Sequence, residues 1–289
     1  MSDPTILFSL STALEGVIAK ALPSVVSVHS RRSRATGFVW KQGLIVTADE
    51  ALADEGEIAV KLADGTSRPA TIAGRDHTTD IALLRVDGAN LAPATLSSQV
   101  PALGALSAVV AAERGAPTAA LGAVSLSGER WRSLRGGDID ARIELDVRLA
   151  FSHQGGLALN TAGEAFGMAV LGPRRVLVIP SATIERVAAR LETHGRVARG
   201  YLGLGLQPVK LDDGIGAMAM SVDKTGPSAA AGIRQGDVIV AWNGEKLTSV
   251  RALLRALGPD SVGSVVDVSV RRADEPMNCK LTIGERPER

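Results

Sequence analysis

The chain has 289 residues, with 32 Lys and Arg against 31 Asp and Glu. That length excludes a single small module and leaves room for two or three compact units, and the balanced charge gives no bulk attraction to nucleic acid. Cys279 is the one cysteine, which excludes an intramolecular disulfide and a thiolate metal cage, so neither a metal nor a cofactor is expected.

Between Thr5 and Ala21, apolar residues at Ile6, Leu7, Leu10, Leu14, Val17 and Ile18 follow the spacing of an amphipathic helix, which Pro23 ends. This start lacks the basic, apolar and small-residue succession of a signal peptide. No run of 18 apolar residues occurs in the chain, so a soluble protein without a transmembrane segment is expected. Six short β-type runs follow: Val25–Val28, Ala35–Trp40, Leu44–Thr47, Glu57–Leu62, Ala70–Gly74 and Ile81–Val86. Six strands at this spacing suffice for one barrel. A second set, including Leu106–Val110, Ala119–Val124, Ile143–Leu145, Gly167–Leu171 and Arg175–Ile179, predicts a second barrel with a cleft between the two. Ser181 then caps a helix through Ile184, Val187, Ala188 and Leu191, read as a semi-rigid connector, before a final block with its own pattern of strands and helices.

The segment from Asp146 to Asn160 resembles the nucleophile loop of trypsin-fold serine proteases of the HtrA (DegP-like) family, D-x-x-I-N-P-G-N-S-G-G-P-L-x-N. Gln154 stands at the serine position. A neutral amide cannot be made a potent nucleophile by a neighbouring base, as a serine hydroxyl can. By the same resemblance, Ile45–Leu52 matches the strand that delivers the general-base histidine, with Glu50 at that place, and Thr79–Leu84 retains the orienting aspartate as Asp80. The oxyanion loop of Ser152, His153 and Gly155 is altered as well, because Ser152 replaces a glycine and Leu157 replaces the proline after the glycine pair. Glu50 and Asp80 would repel one another and raise one apparent pKa unless an arginine pairs with them. Three substitute arrangements can be written: Ser152 with His153 and Asp80, a Glu50–Asp80 carboxyl dyad, or His77 as a relocated base. The bland reading makes His29, His77 and His194 solvated turn histidines.

From Gly226 to Gly244 the chain resembles the core of a PDZ domain, with Val250–Leu257 as its groove helix. The resemblance places Tyr201, Leu202, Gly203 and Leu204 in the carboxylate loop and Leu206 at the start of the pairing strand. Leu253, Leu254 and Leu257 then line the pocket. The expected fold is mainly β: an N-terminal helix (1–22), a trypsin-like double β-barrel (23–180), a linker helix (181–199) and a PDZ domain (200–289). The expected function is that of a non-enzyme, an inactive HtrA-like pseudoprotease that binds peptides or protein C-termini, as a homotrimer or in mixed oligomers. The alternative is an HtrA-family serine endopeptidase with a relocated or unconventional active site. By family resemblance, a chain with a trimmed start would work in an extracytoplasmic (periplasmic) setting.

Overall fold

The computed structural model describes residues 4–287 apart from 32, 54–55, 63, 89–90, 213 and 274. It divides into two compact units, residues 1–197 and 198–289.

The first unit opens with α1 (Pro4–Ala21), whose last turn runs into a 3-10 turn at Leu22–Ser24. Ile6, Leu7, Phe8 and Leu10 are exposed, whereas Val17 and Ile18 pack on the barrel core. Contrary to the expectation from the sequence, Thr5–Ser24 is long and apolar enough to cross a membrane by length and composition. The isolated charges at Glu15 and Lys20 interrupt the apolar run without making it polar.

Strands β1 (Val25–Ser30), β2 (Ser33–Lys41), β3 (Leu44–Thr47), β4 (Ile58–Lys61), β5 (Ser67–Asp76) and β6 (Ile81–Arg85) close a barrel in the order β1-β2-β3-β6-β5-β4. All four residues of β3 are buried. Phe38, Ile45, Ile81, Leu83 and Leu84 fill the interior, so the β-branched runs bury both faces rather than alternating. A second barrel follows, from β7 (Leu106–Glu113) and β8 (Ala116–Gly128) through a small ribbon, β9 (Trp131–Arg132) with β10 (Asp138–Ile139). Strands β11 (Arg142–Leu145), β12 (Gly156–Leu159), β13 (Ala165–Leu171) and β14 (Val176–Pro180) complete it in the order β11-β14-β13-β12-β7-β8. Its core contains Val109, Val124, Ile143, Leu145, Phe166 and Val178.

The helix read as a connector is α2 (Ser181–His194), and it belongs to the first unit. Ile184, Val187, Ala188 and Leu191 are buried in the core that the barrels share. Gly74 allows this docking, because a Cβ there would overlap the carbonyl of Gly195, the residue that ends α2 at φ 71°.

The second unit contains β15 (Gly200–Tyr201), β16 (Leu204–Leu211), β17 (Gly214–Val222), α3 (Pro227–Ala230), β18 (Val238–Trp242), β19 (Glu245–Lys246), α4 (Val250–Arg255), β20 (Val265–Arg272), β21 (Glu275–Thr282) and β22 (Gly284–Glu285). Its main sheet runs β16-β17-β18-β20-β21, with β19 paired to β18, so β16 is an edge strand. Ala217, Ile239, Leu253, Val268, Val270 and Leu281 form a separate core.

Candidate functional site

Glu50 lies in a 3-10 turn, Asp49–Ala51, that follows β3; Asp80 lies at the turn into β6 with φ 58°. The two are joined through the backbone: the Glu50 N–H donates to Asp80 Oδ1 at 2.7 Å. The Glu50 carboxylate turns instead to Arg135, whose Nη2 lies 2.9 Å from Oε1. Burial, followed by the like charges of Glu50 and Asp49, pushes the Asp80 carboxyl up to about 7, against the pull of the Glu50 N–H and of Arg135. Asp80 therefore changes charge near neutrality.

Gln154 is buried, 2% exposed, and its side-chain oxygen accepts the Leu171 N–H at 3.1 Å. Its carbonyl accepts the Thr36 N–H at 2.9 Å. The preceding Phe151–His153 form a 3-10 turn in which His153 N–H donates to Ala150 (3.0 Å) and Gln154 N–H to Phe151 (3.3 Å). The amide at the nucleophile position is thus spent on its own loop, and a substrate oxyanion would have to displace that bond. Ser152 lines a cavity of about 870 Å³ with Phe151, Arg31, Ser33, Arg34 and Ala53. His153 goes elsewhere: Nε2 lies 3.5 Å from Glu113 Oε2 and its side chain is mostly buried. The two neighbours thus serve different surroundings, Ser152 the cavity and His153 the Glu113 carboxylate.

Sequence reasoning missed Asp49. Its carboxylate is 1% exposed and accepts from Arg75 Nε on one oxygen while holding His77 Nδ1 on the other, and Arg75 Nη2 also donates to the Asp49 carbonyl. The His77 side chain is 62% exposed. His77 is thus the exposed turn histidine the bland reading expects, and its imidazole is in addition held by a buried carboxylate, the relationship that orients a catalytic histidine in a triad. It adjoins Glu50 through Arg135, whose Nη1 donates to the His77 carbonyl at 3.4 Å. Ser133, near β9, adds a 2.6 Å hydrogen bond to the Thr78 carbonyl, which ties the second barrel to this loop. The only sequence signal was an acidic residue beside Glu50 in the same turn. His29 departs from the bland reading, since it sits within β1; His194 is exposed at the end of α2.

In the second unit Leu202 is buried and Gly203 has φ 74°, a conformation that suits a residue without Cβ. The Gly203 carbonyl accepts the Asp223 N–H at 2.8 Å, and Tyr201 Oη donates to Asp223 Oδ2 at 3.0 Å, so the loop is braced from β17. The strand begins at Leu204 rather than Leu206. Leu204 and Leu206 are half-buried, Leu253 and Leu257 are buried, and Leu254 is exposed, which points it away from the core its neighbours fill. Among the described residues, no group of three or more His, Cys, Asp or Glu is placed to hold a metal.

Residues 35–168 match the trypsin-like peptidase domain and residues 200–283 the PDZ domain. Two tandem barrels followed by such a sheet define a trypsin-like peptidase fold joined to a PDZ domain. A probable periplasmic serine endoprotease DegP-like of Chlamydia muridarum is 32% identical over 272 residues, 88% of this chain and 54% of that protein. One of the same description from Pseudomonas fluorescens is 31% identical over 310 residues, 98% of this chain and 63% of the relative. The chain spans roughly 54 to 63% of these two relatives. Of solved structures, the serine endoprotease from Yersinia pestis aligns with TM-score 0.78 and 26% identity over 94% of this chain and 98% of that one. The HtrA-type protease AlgW with decapeptide aligns at TM-score 0.77 and 21% identity over 95% and 99%, a likeness of fold alone. The chain thus has the HtrA/DegP-like combination of a trypsin-like peptidase domain followed by a PDZ domain. These matches correct the expectation of a non-enzyme, because the relatives are named serine endoproteases. The absence of Ser and His at positions 154 and 50 is a fact about two positions, and catalysis depends on the groups a domain assembles rather than on where they fall in a motif.

Proposed function

We propose that this chain is an HtrA-type endopeptidase with an unconventional active site, fed by a PDZ domain that captures extended polypeptide C-termini. The observation that carries the hydrolytic half is the Asp49–His77 pair beside Glu50 and Asp80. In this reading His77 Nε2 takes a proton from water as the hydroxyl adds to the scissile carbonyl carbon, and Asp49 stabilises the imidazolium. The same proton passes to the departing amine as the C–N bond breaks. The binding half rests on the braced loop at Tyr201–Leu204, the edge strand β16 and the apolar residues Leu204, Leu206, Leu253 and Leu257. Assembly with further copies of the chain and work outside the cytoplasm belong to the same proposal. The second follows the relatives, which are named periplasmic.

Turnover of unfolded casein by the wild type, abolished in His77→Ala and reduced at least about 100-fold in Asp49→Asn, is the expected result. Turnover indifferent to His77, or covalent labelling of Ser152 by a fluorophosphonate, would move the site elsewhere. No turnover under any condition would reject the endopeptidase half outright. For the binding half, a fluorescein-labelled peptide with a free C-terminal carboxylate is expected to bind and its C-terminal amide to lose most of that affinity; equal binding of the two would sink it.

A further inference from the structure

Within the PDZ reading, on which this inference rests, the acceptor strand carries its own stop. In antiparallel pairing, alternate residues send both backbone polar groups to the same neighbour. On β17, the Ala219 N–H donates to Asp237 at 2.8 Å and its carbonyl accepts from Gly236 at 2.8 Å, so Ala219 faces away from β16. Ala217, two residues earlier with regular register between them, faces the same way and opposes Ile239 of β18. Pro208 is the partner of Ala217, and Leu206 is the partner of Ala219. Neither can therefore be hydrogen-bonded to β17 there, and both present their backbone groups to the free edge of β16. The two-residue connection closing at Leu211↔Gly214 gives the same parity counted from the other end.

The outward series of the edge therefore reads Leu206 N–H and C=O, then Pro208 C=O alone, then Lys210 at the far end of the strand. Proline has no N–H, and its ring occupies the place where the hydrogen would point. We infer that Pro208 ends strand addition to this domain, so that the groove reads only about the last four residues of a C-terminal segment and is indifferent to what precedes them. A ligand strand antiparallel to β16, with its carboxylate at Tyr201–Leu204, exchanges two hydrogen bonds with Leu206. Upstream of that it meets Pro208, which offers one acceptor and no donor and puts a ring in the way before Lys210 is reached. The substrate class so defined is any polypeptide with an exposed, apolar C-terminus. An internal β-segment of an intact protein would need the longer ladder that is missing here.

The experiment uses the full chain and a series of fluorescein-labelled alanine-rich peptides of three to eight residues, all ending in a free C-terminal valine. For the wild type, affinity should rise up to four residues and stay within about twofold from four to eight. In Pro208→Ala, the six- to eight-residue peptides should gain about fivefold over the four-residue peptide, the worth of one restored hydrogen bond. Pro208 is exposed, so the variant is expected to unfold at the wild-type temperature, which checks that the change is local. A wild-type affinity that climbs about fivefold or more between four and eight residues, or a Pro208→Ala variant with the same flat profile as wild type, overturns the inference while leaving the PDZ reading intact. Failure to bind at every length, or equal binding of amidated peptides, overturns the PDZ reading and the inference with it.

Discussion

The side-chain oxygen of Gln154 accepts the backbone N–H of Leu171 at 3.1 Å, so the residue at the nucleophile position of the fold clamps its loop to β13. A second bond, from the Thr36 N–H to the Gln154 carbonyl at 2.9 Å, fastens the same residue to the first barrel. Gln154 thus holds the junction between barrels and offers nothing to a substrate.

Gln154→Ala removes the acceptor and part of a buried side chain, and is expected to destabilise the first unit by about 1–2 kcal/mol. Gln154→Ser is equally too short to reach Leu171 and should cost about the same. It should also leave casein turnover unchanged, because Glu50 stands where a serine would need its base. Urea midpoints with unchanged slope, together with turnover rates, check both statements. A rise in turnover on restoring Ser at 154 alone would mean that another group nearby already serves as its base.

Gly155, next in the loop, is under harder constraint. It has φ 93°, and a Cβ there would overlap the Thr36 carbonyl oxygen, which already accepts the Thr47 hydroxyl at 2.7 Å. Gly155→Ala is expected to cost about 3 kcal/mol or more, since strain and collision act together. Gly65 has φ 84° with nothing near its missing Cβ, and Gly65→Ala should cost only about 1 kcal/mol. Urea unfolding of the pair separates the two effects; equal losses would show that the close approach to Thr36 adds nothing.

These contacts mark where the sequence stopped being informative. The strands were legible because runs such as Leu44–Thr47 and Ile81–Val86 combine branched apolar side chains with turn residues at their ends. The glycines of the nucleophile loop and the PDZ core were legible because positive φ leaves few choices of residue. Asp49–His77 was not: the partners are 28 residues apart, and their meeting depends on how β3 and β5 deliver their turns. The role of α2 was misjudged because its apolar face is the same whether it lies on a barrel or spans a gap. The fate of Glu50 depended on Arg135, from a ribbon of the second barrel that no periodic pattern announced.

Asp237 anchors the PDZ unit in a way the motif only hinted at. Its carboxylate is almost fully buried, takes Arg272 Nε and Nη2 at 2.9 Å each, and accepts the Arg234 N–H at 2.7 Å. The Arg272 hydrogen bonds, opposed by burial, hold this carboxyl below its usual range. A depressed folded-state pKa adds stability that is present above the unfolded value of about 3.8 and is lost as pH falls through the folded one. Asp237→Asn is therefore expected to destabilise the unit by about 2–3 kcal/mol at pH 7, through loss of charge-assisted bonds. The difference from wild type should shrink below pH 4, as measured by urea unfolding of the second unit. A gap unchanged down to pH 2 would contradict this account.

Asp80 carries the opposite sign. Burial and the charges of Glu50 and Asp49 raise its pKa from 3.8 to about 7, so the folded state holds a proton that the unfolded chain has released. Its stabilising contribution is complete below about pH 4 and disappears as pH rises through 7. Wild type should consequently lose stability relative to Asp80→Asn between about pH 4 and 7, with the difference level above pH 8. Glu50→Gln removes one of the like charges and should move the midpoint of that change only slightly downward, because burial is the larger cause. Denaturant unfolding of the three proteins at half-unit intervals from pH 4 to 8 makes the comparison. A difference between wild type and Asp80→Asn that stays flat over this range would show that Asp80 is ionised in the folded protein throughout, and that the bond from the Glu50 N–H outweighs burial.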